Sequence, residues 1–309
     1  MKTIGKIFGV IIVILFLGGI INTAKNKNPD TRPISNNQTQ QTQDVSSSEL
    51  TKKDLILRDV KYGNDKRNTM NIFVPKDSNE KTPFILLIHG GAWVSGDKND
   101  FAAAQLAFGA AGIASASINY RYASSTVHYP ELMSDVNSAI NYIVLHGKDW
   151  NVNTEKMAIG GISAGAHMAM LYAYHYDSGN HISSVISLAG PSNIADVTIL
   201  NASVVNKLIG GVEKMVGTTY TAGQSLNQKF SDASPINFIK NVPTLLIHGT
   251  GDTIVAYDQS VKMDAALAAA GVPHRLMSIT GANHDLGLGN PTTAKNIADE
   301  VVMWVKNYH

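Results

Sequence analysis

Between an apolar run and a helix-favouring run the chain carries Gly161-Ile162-Ser163-Ala164-Gly165, and no other stretch restricts its folding so tightly. Ala158 and Ile159 continue what reads as a buried strand, whereas Ala, His, Met and Leu from Ala164 onward favour a helix. A strand that turns into a helix around one serine needs a strained backbone, so that the hydroxyl projects from the sheet edge. Residues two before and two after the serine then nearly touch, and both must be tiny. Such a short pattern also arises by chance, so its meaning depends on partners elsewhere in the chain.

Those partners are sought in the alternation of elements. Asp54–Val60 and Thr69–Val74 read as an edge hairpin joined by the polar turn Tyr62–Asp65. Pro83–Ile88 is wholly apolar, as a central strand covered on both faces should be. Further strands are predicted at Gly112–Tyr120, through Met157–Ile159, and at Ile182–Gly190, Val242–His248 and His274–Ile279. Helices are predicted at 101–111, 130–145, from Ala164, and at 256–270 and 294–307. The rhythm breaks over 191–235, where one helix near 194–208 and a Gly/Thr-rich loop at 217–223 suggest a lid insertion. Strand and helix alternate, which predicts an α/β fold: a mostly parallel central sheet with helices on both faces.

A serine hydroxyl is a weak nucleophile until a histidine accepts its proton, and that histidine needs an acid to orient it. In open α/β sheets such groups collect at the carboxyl ends of strands. Asp252 follows the strand at 242–248 in His248-Gly249-Thr250-Gly251-Asp252, and His284 follows the strand at 274–279. Neither was needed to find the serine, so Ser163, Asp252 and His284 are the candidate catalytic set. Asp258 and Asp264 read as surface charges, and Asp285 as pointing elsewhere. His167, His175 and His181 have no strand-end position and read as structural or exposed. His248 reads as a support for the Asp252 loop. The negative oxygen formed in acyl transfer needs fixed N–H donors. Ala164 offers one, and His89-Gly90-Gly91-Ala92-Trp93 offers another, with Gly91 first and Ala92 or Gly90 as alternatives. His89 reads as a loop-fixing hydrogen bonder, and Trp93 as lining the acyl pocket or packing.

The 309 residues, 44% of them hydrophobic, suffice for one large core. A net charge of +1 without a Lys/Arg cluster argues against a nucleic-acid partner. The absence of cysteine excludes thiol catalysis and disulfides. No His-Glu-x-x-His, Walker or dinucleotide pattern occurs, so no metal or organic cofactor is expected. Lys2 and Lys6 precede an apolar run from Ile7 to Ile21, which reads as a signal or an uncleaved anchor over residues 1–24. A polar Asn/Gln/Thr/Ser linker follows over 25–50, then a catalytic domain over 51–309. The expected location is therefore extracytoplasmic, secreted or anchored, with membrane contact only through the N-terminal segment.

With these pieces assembled, the chain resembles the α/β-hydrolase esterases and lipases. It is most similar to the bacterial acetyl-esterase and carboxylesterase branch related to hormone-sensitive lipase and to feruloyl and xylan esterases. The resemblance rests on His89–Trp93, Asn119-Tyr120-Arg121-Tyr122, Gly161–Gly165, Ala233-Ser234-Pro235-Ile236, His248–Asp252 and His284, across residues 55–309. It implies a Ser163–His284–Asp252 triad and a small-molecule ester substrate with a short acyl group, an acetylated saccharide being one candidate. Two departures stand out. Ala92 replaces the third glycine of a His-Gly-Gly-Gly motif, and Gly-Gly-x-Trp also resembles kynurenine formamidases. The polar stretch 22–53 cannot form the N-terminal cap of hormone-sensitive lipase relatives, which argues against bulky lipids. An amidase of the same fold and a catalytically silent binding protein are the rival expectations.

Overall fold

The computed structural model describes residues 53–309. The predicted signal or anchor (1–24) and polar linker (25–50) lie outside the described residues. Eight strands form one sheet: β1 (Leu55–Lys61), β2 (Thr69–Val74), β3 (Phe84–Ile88), β4 (Ala114–Ile118), β5 (Met157–Ile162), β6 (Ile182–Leu188), β7 (Thr244–Gly249) and β8 (His274–Ile279). Their order is β1-β2-β4-β3-β5-β6-β7-β8. β2 runs antiparallel to both neighbours, and the remaining pairs are parallel. This is the topology of the α/β-hydrolase fold. β3, β4, β5 and β7 are buried at every position, so they occupy the middle. β1 and β8 are partly exposed along their length and form the edges.

Side chains alternate across the sheet and build two cores. On β3, Phe84, Leu86 and Ile88 face one core with Met157 and Ile159 of β5, while Ile85 and Leu87 face the other with Ala158 and Ile162. The first core is closed by α2 (Tyr129–His146), α3 (Ala164–Leu171) and α7 (Asp258–Ala269); the second by α1 (Ala102–Ala110) and α8 (Pro291–Asn307). Each fully buried Leu, Ile or Phe among them contributes roughly 1.5–3 kcal/mol. α2 starts with Pro130 in its first turn and a Glu131 carboxylate accepting from the His128 N–H at 2.8 Å. α8 starts on Asn290, whose side chain accepts from Thr292 and Thr293.

The lid region differs from expectation in detail. The helix predicted near 194–208 is α4 (Val197–Val205), and a second helix that was not anticipated, α5 (Ile209–Val216), follows it. Between them Lys207 adopts φ 58°, a left-handed turn that no continuous helix can contain. α5 ends on Gly217 at φ 76°, and the predicted loop at 217–223 follows. A short helix, α6 (Gln228–Asp232), was not anticipated. α3 also continues as one turn of π-helix over Tyr172–Tyr176.

The parallel register brings the strand ends level. Ile88 pairs with Gly161, Ile162 with Leu188, Leu188 with Ile247, and His248 with Ser278. The loops after β3, β5, β7 and β8 therefore open on one edge of the sheet.

Candidate active site

Ser163 follows β5 directly and precedes α3 with φ 56° and ψ −120°, the strained turn expected of it. Its N–H donates to the Leu188 carbonyl at 2.8 Å, which ties the turn to β6. The turn is crowded on both sides. A Cβ on Gly165 would overlap the Ile88 and His89 carbonyl oxygens, and one on Gly161 would overlap the Gly165 backbone.

His284 Nε2 lies 2.9 Å from Ser163 Oγ, and its Nδ1 lies 2.7 Å from Asp252 Oδ2. Because Asp252 is an acceptor, Nδ1 carries the hydrogen and Nε2 is left free to accept the serine proton. Asp252 Oδ1 accepts from the N–H groups of Ile254 and Val255 at 2.8 and 2.9 Å. Burial acts to raise the Asp252 pKa. Hydrogen bonds from His248, His284 and Val255 outweigh it and hold the carboxyl well below the usual carboxylate range. Asp285 points away, as expected: it is exposed, and its carboxylate accepts from the Gly287 N–H at 3.0 Å.

The loop after β3 carries three successive left-handed residues: Gly91 at 106°, Ala92 at 50° and Trp93 at 62°. Non-glycine residues there cost about 1–3 kcal/mol each and persist only where their surroundings enforce the conformation. Several groups do so. The Gly91 carbonyl accepts from Val94 N, Ser95 N and Ser95 Oγ at 3.1, 3.0 and 2.8 Å. His89 is buried, stacks on Tyr120 at 4.3 Å, and bonds the Gly90 carbonyl through Nδ1 at 2.7 Å. Burial, with the Arg67 guanidinium nearby, lowers His89 to about 4, so it stays neutral as a loop fixer. Arg67 lies 3.7 Å over the Tyr122 ring and donates to the Gly96 carbonyl at 3.3 Å. Trp93 donates its indole N–H to His167 Nδ1 at 3.2 Å, and His167 Nε2 donates to the Ala233 carbonyl at 2.7 Å. A Cβ on Gly90 would approach that of Ser163 to 3.3 Å, so Gly90 sits against the serine. Ala164 opens α3, where its N–H has no intrahelical acceptor.

Ser163, Ala92, Trp93 and Ala164 border a small apolar cavity of about 40 Å³. Leu200 of α4, Leu208 just before α5 and Val212 of α5 also line it. The sequence did not single out these three lid residues, nor Arg67. Arg67 carries no motif, and its role depends on the hairpin docking against the loop after β3. Among the described residues no group of three or more His, Cys, Asp or Glu could hold a metal ion.

The BD-FAE family model matches residues 70–267, a span that holds Ser163 and Asp252 and stops before His284. A probable isoprenylcysteine alpha-carbonyl methylesterase of Oryza sativa subsp. japonica is 26% identical over 270 residues, covering 82% of this chain and 63% of its own length. Esterase LipC of Mycobacterium tuberculosis is 25% identical, covering 82% of this chain and 65% of its own. The chain thus spans less than two thirds of the length of these curated relatives. A truncated carbohydrate esterase from gut microbiota superposes with a TM-score of 0.65 at 21% identity, covering 84% of this chain and 99% of its own. Esterase B from Lactobacillus rhamnosis gives 0.68 at 17%, covering 84% and 89%. With the family model matching well over half of the sequence, the chain, which has the α/β-hydrolase fold, belongs to the BD-FAE family.

Proposed function

We propose that the protein is a serine carboxylic-ester hydrolase for short acyl esters. The observation that carries this reading is the hydrogen-bonded chain Ser163–His284–Asp252 opening on a cavity of about 40 Å³. Ser163 Oγ attacks the ester carbonyl while His284 Nε2 takes its proton. The tetrahedral intermediate collapses, the C–O bond to the alcohol breaks, and His284 returns the proton to the leaving oxygen. Water then attacks the acyl-serine with His284 again as base, releasing the acid. Asp252 keeps the imidazole in the required tautomer and stabilises the imidazolium. The oxyanion is assigned to the N–H groups of Ala164 and of Gly91 or Ala92, worth about 2.7–4 kcal/mol per donor.

The small, apolar cavity supports an acetyl to butyryl group on the acyl side. The alcohol leaves toward the open edge, and an acetylated saccharide is the class we favour there, in keeping with the carbohydrate esterase among the similar structures. The decisive experiment is turnover of p-nitrophenyl esters from acetate to palmitate by the full chain, with Ser163→Ala beside it. Rates that peak at acetate or butyrate and vanish in the variant support the reading. Silence toward every ester, with the wild type folded, overturns it.

One observation favours a second reading, amide hydrolysis: Gly90-Gly91-Ala92-Trp93 resembles the loop of kynurenine formamidases. N-formylkynurenine and aminoacyl p-nitroanilides in the same assay separate the two. We also propose that Lys2–Ile21 directs the enzyme out of the cytoplasm. Recovery of the activity from intact, spheroplasted cells only after lysis would contradict that location.

A further inference from the structure

Asp252 has a second histidine. His248 sits near the end of β7, is fully buried, and points its ring at the back of the acid. Its Nε2 faces Asp252 Oδ2 at 3.1 Å and the Val255 carbonyl at 2.9 Å. Both are acceptors, so Nε2 carries a hydrogen, shared between them. Nδ1 lies 2.7 Å from the hydroxyl of buried Ser260, which donates to it in the neutral ring. Ser260 is placed in turn by its own N–H, which donates to the Tyr257 carbonyl at 3.0 Å. The hydroxyl and the carbonyl therefore hold the ring in one tautomer and one orientation.

The oxygen contacted by His248 is the one that accepts from His284 Nδ1 at 2.7 Å. Two backbone N–H groups hold Oδ1, and among the described residues the two histidines alone hold Oδ2. With Oδ1 held by the backbone, the two histidines decide where Oδ2 points. His284 changes charge during the reaction, whereas His248 is locked from behind.

We propose that His248 is a positioning residue for the reaction: its Nε2–H aims Asp252 Oδ2 at His284 and shares that oxygen's negative charge. The inference rests on the serine-hydrolase reading above. Without this donor, a buried carboxylate is under-solvated. It either draws harder on the His284 proton, which makes the imidazole more basic, or swings away and spoils the line to Ser163. The titratable groups in contact with His248 are Asp252 and, edge-on at 5.8 Å, Tyr257; His284 reaches it only through Asp252.

Two substitutions separate this role from simple packing. His248→Gln keeps an amide donor near the place of Nε2. His248→Asn ends near the place of Nδ1, so it can reach Ser260 but not Asp252. With p-nitrophenyl acetate and the full chain, the Asn variant should lose roughly 10- to 100-fold in kcat with little change in KM. The acid limb of its kcat/KM profile should move up by about half a pH unit or more. The Gln variant should recover most of kcat and return the limb toward wild type. A folded Asn variant with wild-type kcat and pH limb overturns the proposal. So does a Gln variant as impaired as Asn with the limb unmoved, because that pattern is structural.

A measurement on the unsubstituted chain does not depend on either variant folding. Imidazole N–H proton resonances followed across pH should show the His248 Nε2–H shifting in step with titration of His284. A His248 resonance indifferent to that titration overturns the coupling. This readout needs no substrate. Failure of the esterase reading would appear separately, as no ester turnover and no fluorophosphonate adduct at Ser163.

Discussion

At the scale of single residues, the site combines strain with hydrogen bonds that fix it. Ser163, Ala92 and Trp93 all have positive φ around the same small cavity, with Ser163 tied to β6 through Leu188 and Trp93 tied to α3 through His167. Ser163→Ala removes only the nucleophilic oxygen, so turnover should fall to background while thermal unfolding stays close to wild type. Asp252→Asn should cost about 10⁴-fold in kcat, because an amide N–H facing Nδ1 turns the imidazole to the wrong tautomer. Steady-state rates with p-nitrophenyl acetate check both. Gly165→Ala acts differently, since its Cβ meets the Ile88 and His89 carbonyls and the neighbours it would displace are backbone. It should lower the melting temperature sharply or prevent folding, which circular dichroism reads directly. Ser163, Asp252 and His284 were legible as residues because each directly follows a strand, and a strand's end is set by local pattern. Their distances were not legible, since they depend on the register of four strands.

At the scale of elements, the strands were easy to find and the lid was not. β3, β5 and the Leu245–Ile247 stretch of β7 announce themselves as short apolar runs because both their faces are covered, whereas β4 carries Ser115 and Ser117 between its apolar residues. α4 and α5 are short, and what holds them is contact with each other and burial of Ile199, Leu200, Val212 and Met215 in the first core, a non-local property that local propensity cannot express. Leu200 and Val212 on these helices and Leu208 between them line the cavity beside Ser163, where the proposed function seats the acyl group. Val212→Ala and Leu208→Ala should each deepen it. The preferred p-nitrophenyl ester should then lengthen by about one or two carbons, at a discrimination of ~1–3 kcal/mol per methylene. An unchanged chain-length profile in both variants would mean that the acyl group lies elsewhere. The outer face of α4 leaves Val197, Val204 and Val205 exposed, so the lid's packing is one-sided.

For the whole molecule, the buried histidines make stability depend on pH. Burial lowers both His89 and His167 to about 4, from 6.5 in the unfolded chain. Below pH 6.5 the unfolded state takes up protons that the folded state refuses, so stability falls as pH falls from 6.5 toward 4. Each ring accounts for a loss on the order of 3 kcal/mol at the lower end. Asp252 acts in the same direction further down: its stabilisation is complete above the ordinary value of 3.8 and is lost as pH falls through its depressed folded value. Urea unfolding at pH 7.5, 6 and 5 should show midpoints falling steadily. His167→Gln should flatten that dependence, and a pH-independent midpoint in the wild type would contradict the burial of these rings. His89 and His167 also brace the loop after β3, so acid should loosen that loop together with the fold.

The sequence by itself determined the class of fold, the strand-to-helix turn at Ser163 and the identity of its two partners. These follow from short-range facts: apolar runs, glycines that permit close approach, and polar residues placed just after strands. It also determined that His89 and His248 support loops, because each stands at a strand end beside a glycine turn. Only the tertiary structure decided what closes the acyl cavity, how Arg67 and His167 hold the strained loop, and that two histidines share Asp252 Oδ2. Except for His248 and Asp252, four positions apart, those contacts join residues separated by tens of positions, among them 29 for Arg67 with Gly96, 32 for His284 with Asp252 and 66 for His167 with Ala233. Their geometry is set by packing and strand register, which no local stretch of the chain encodes.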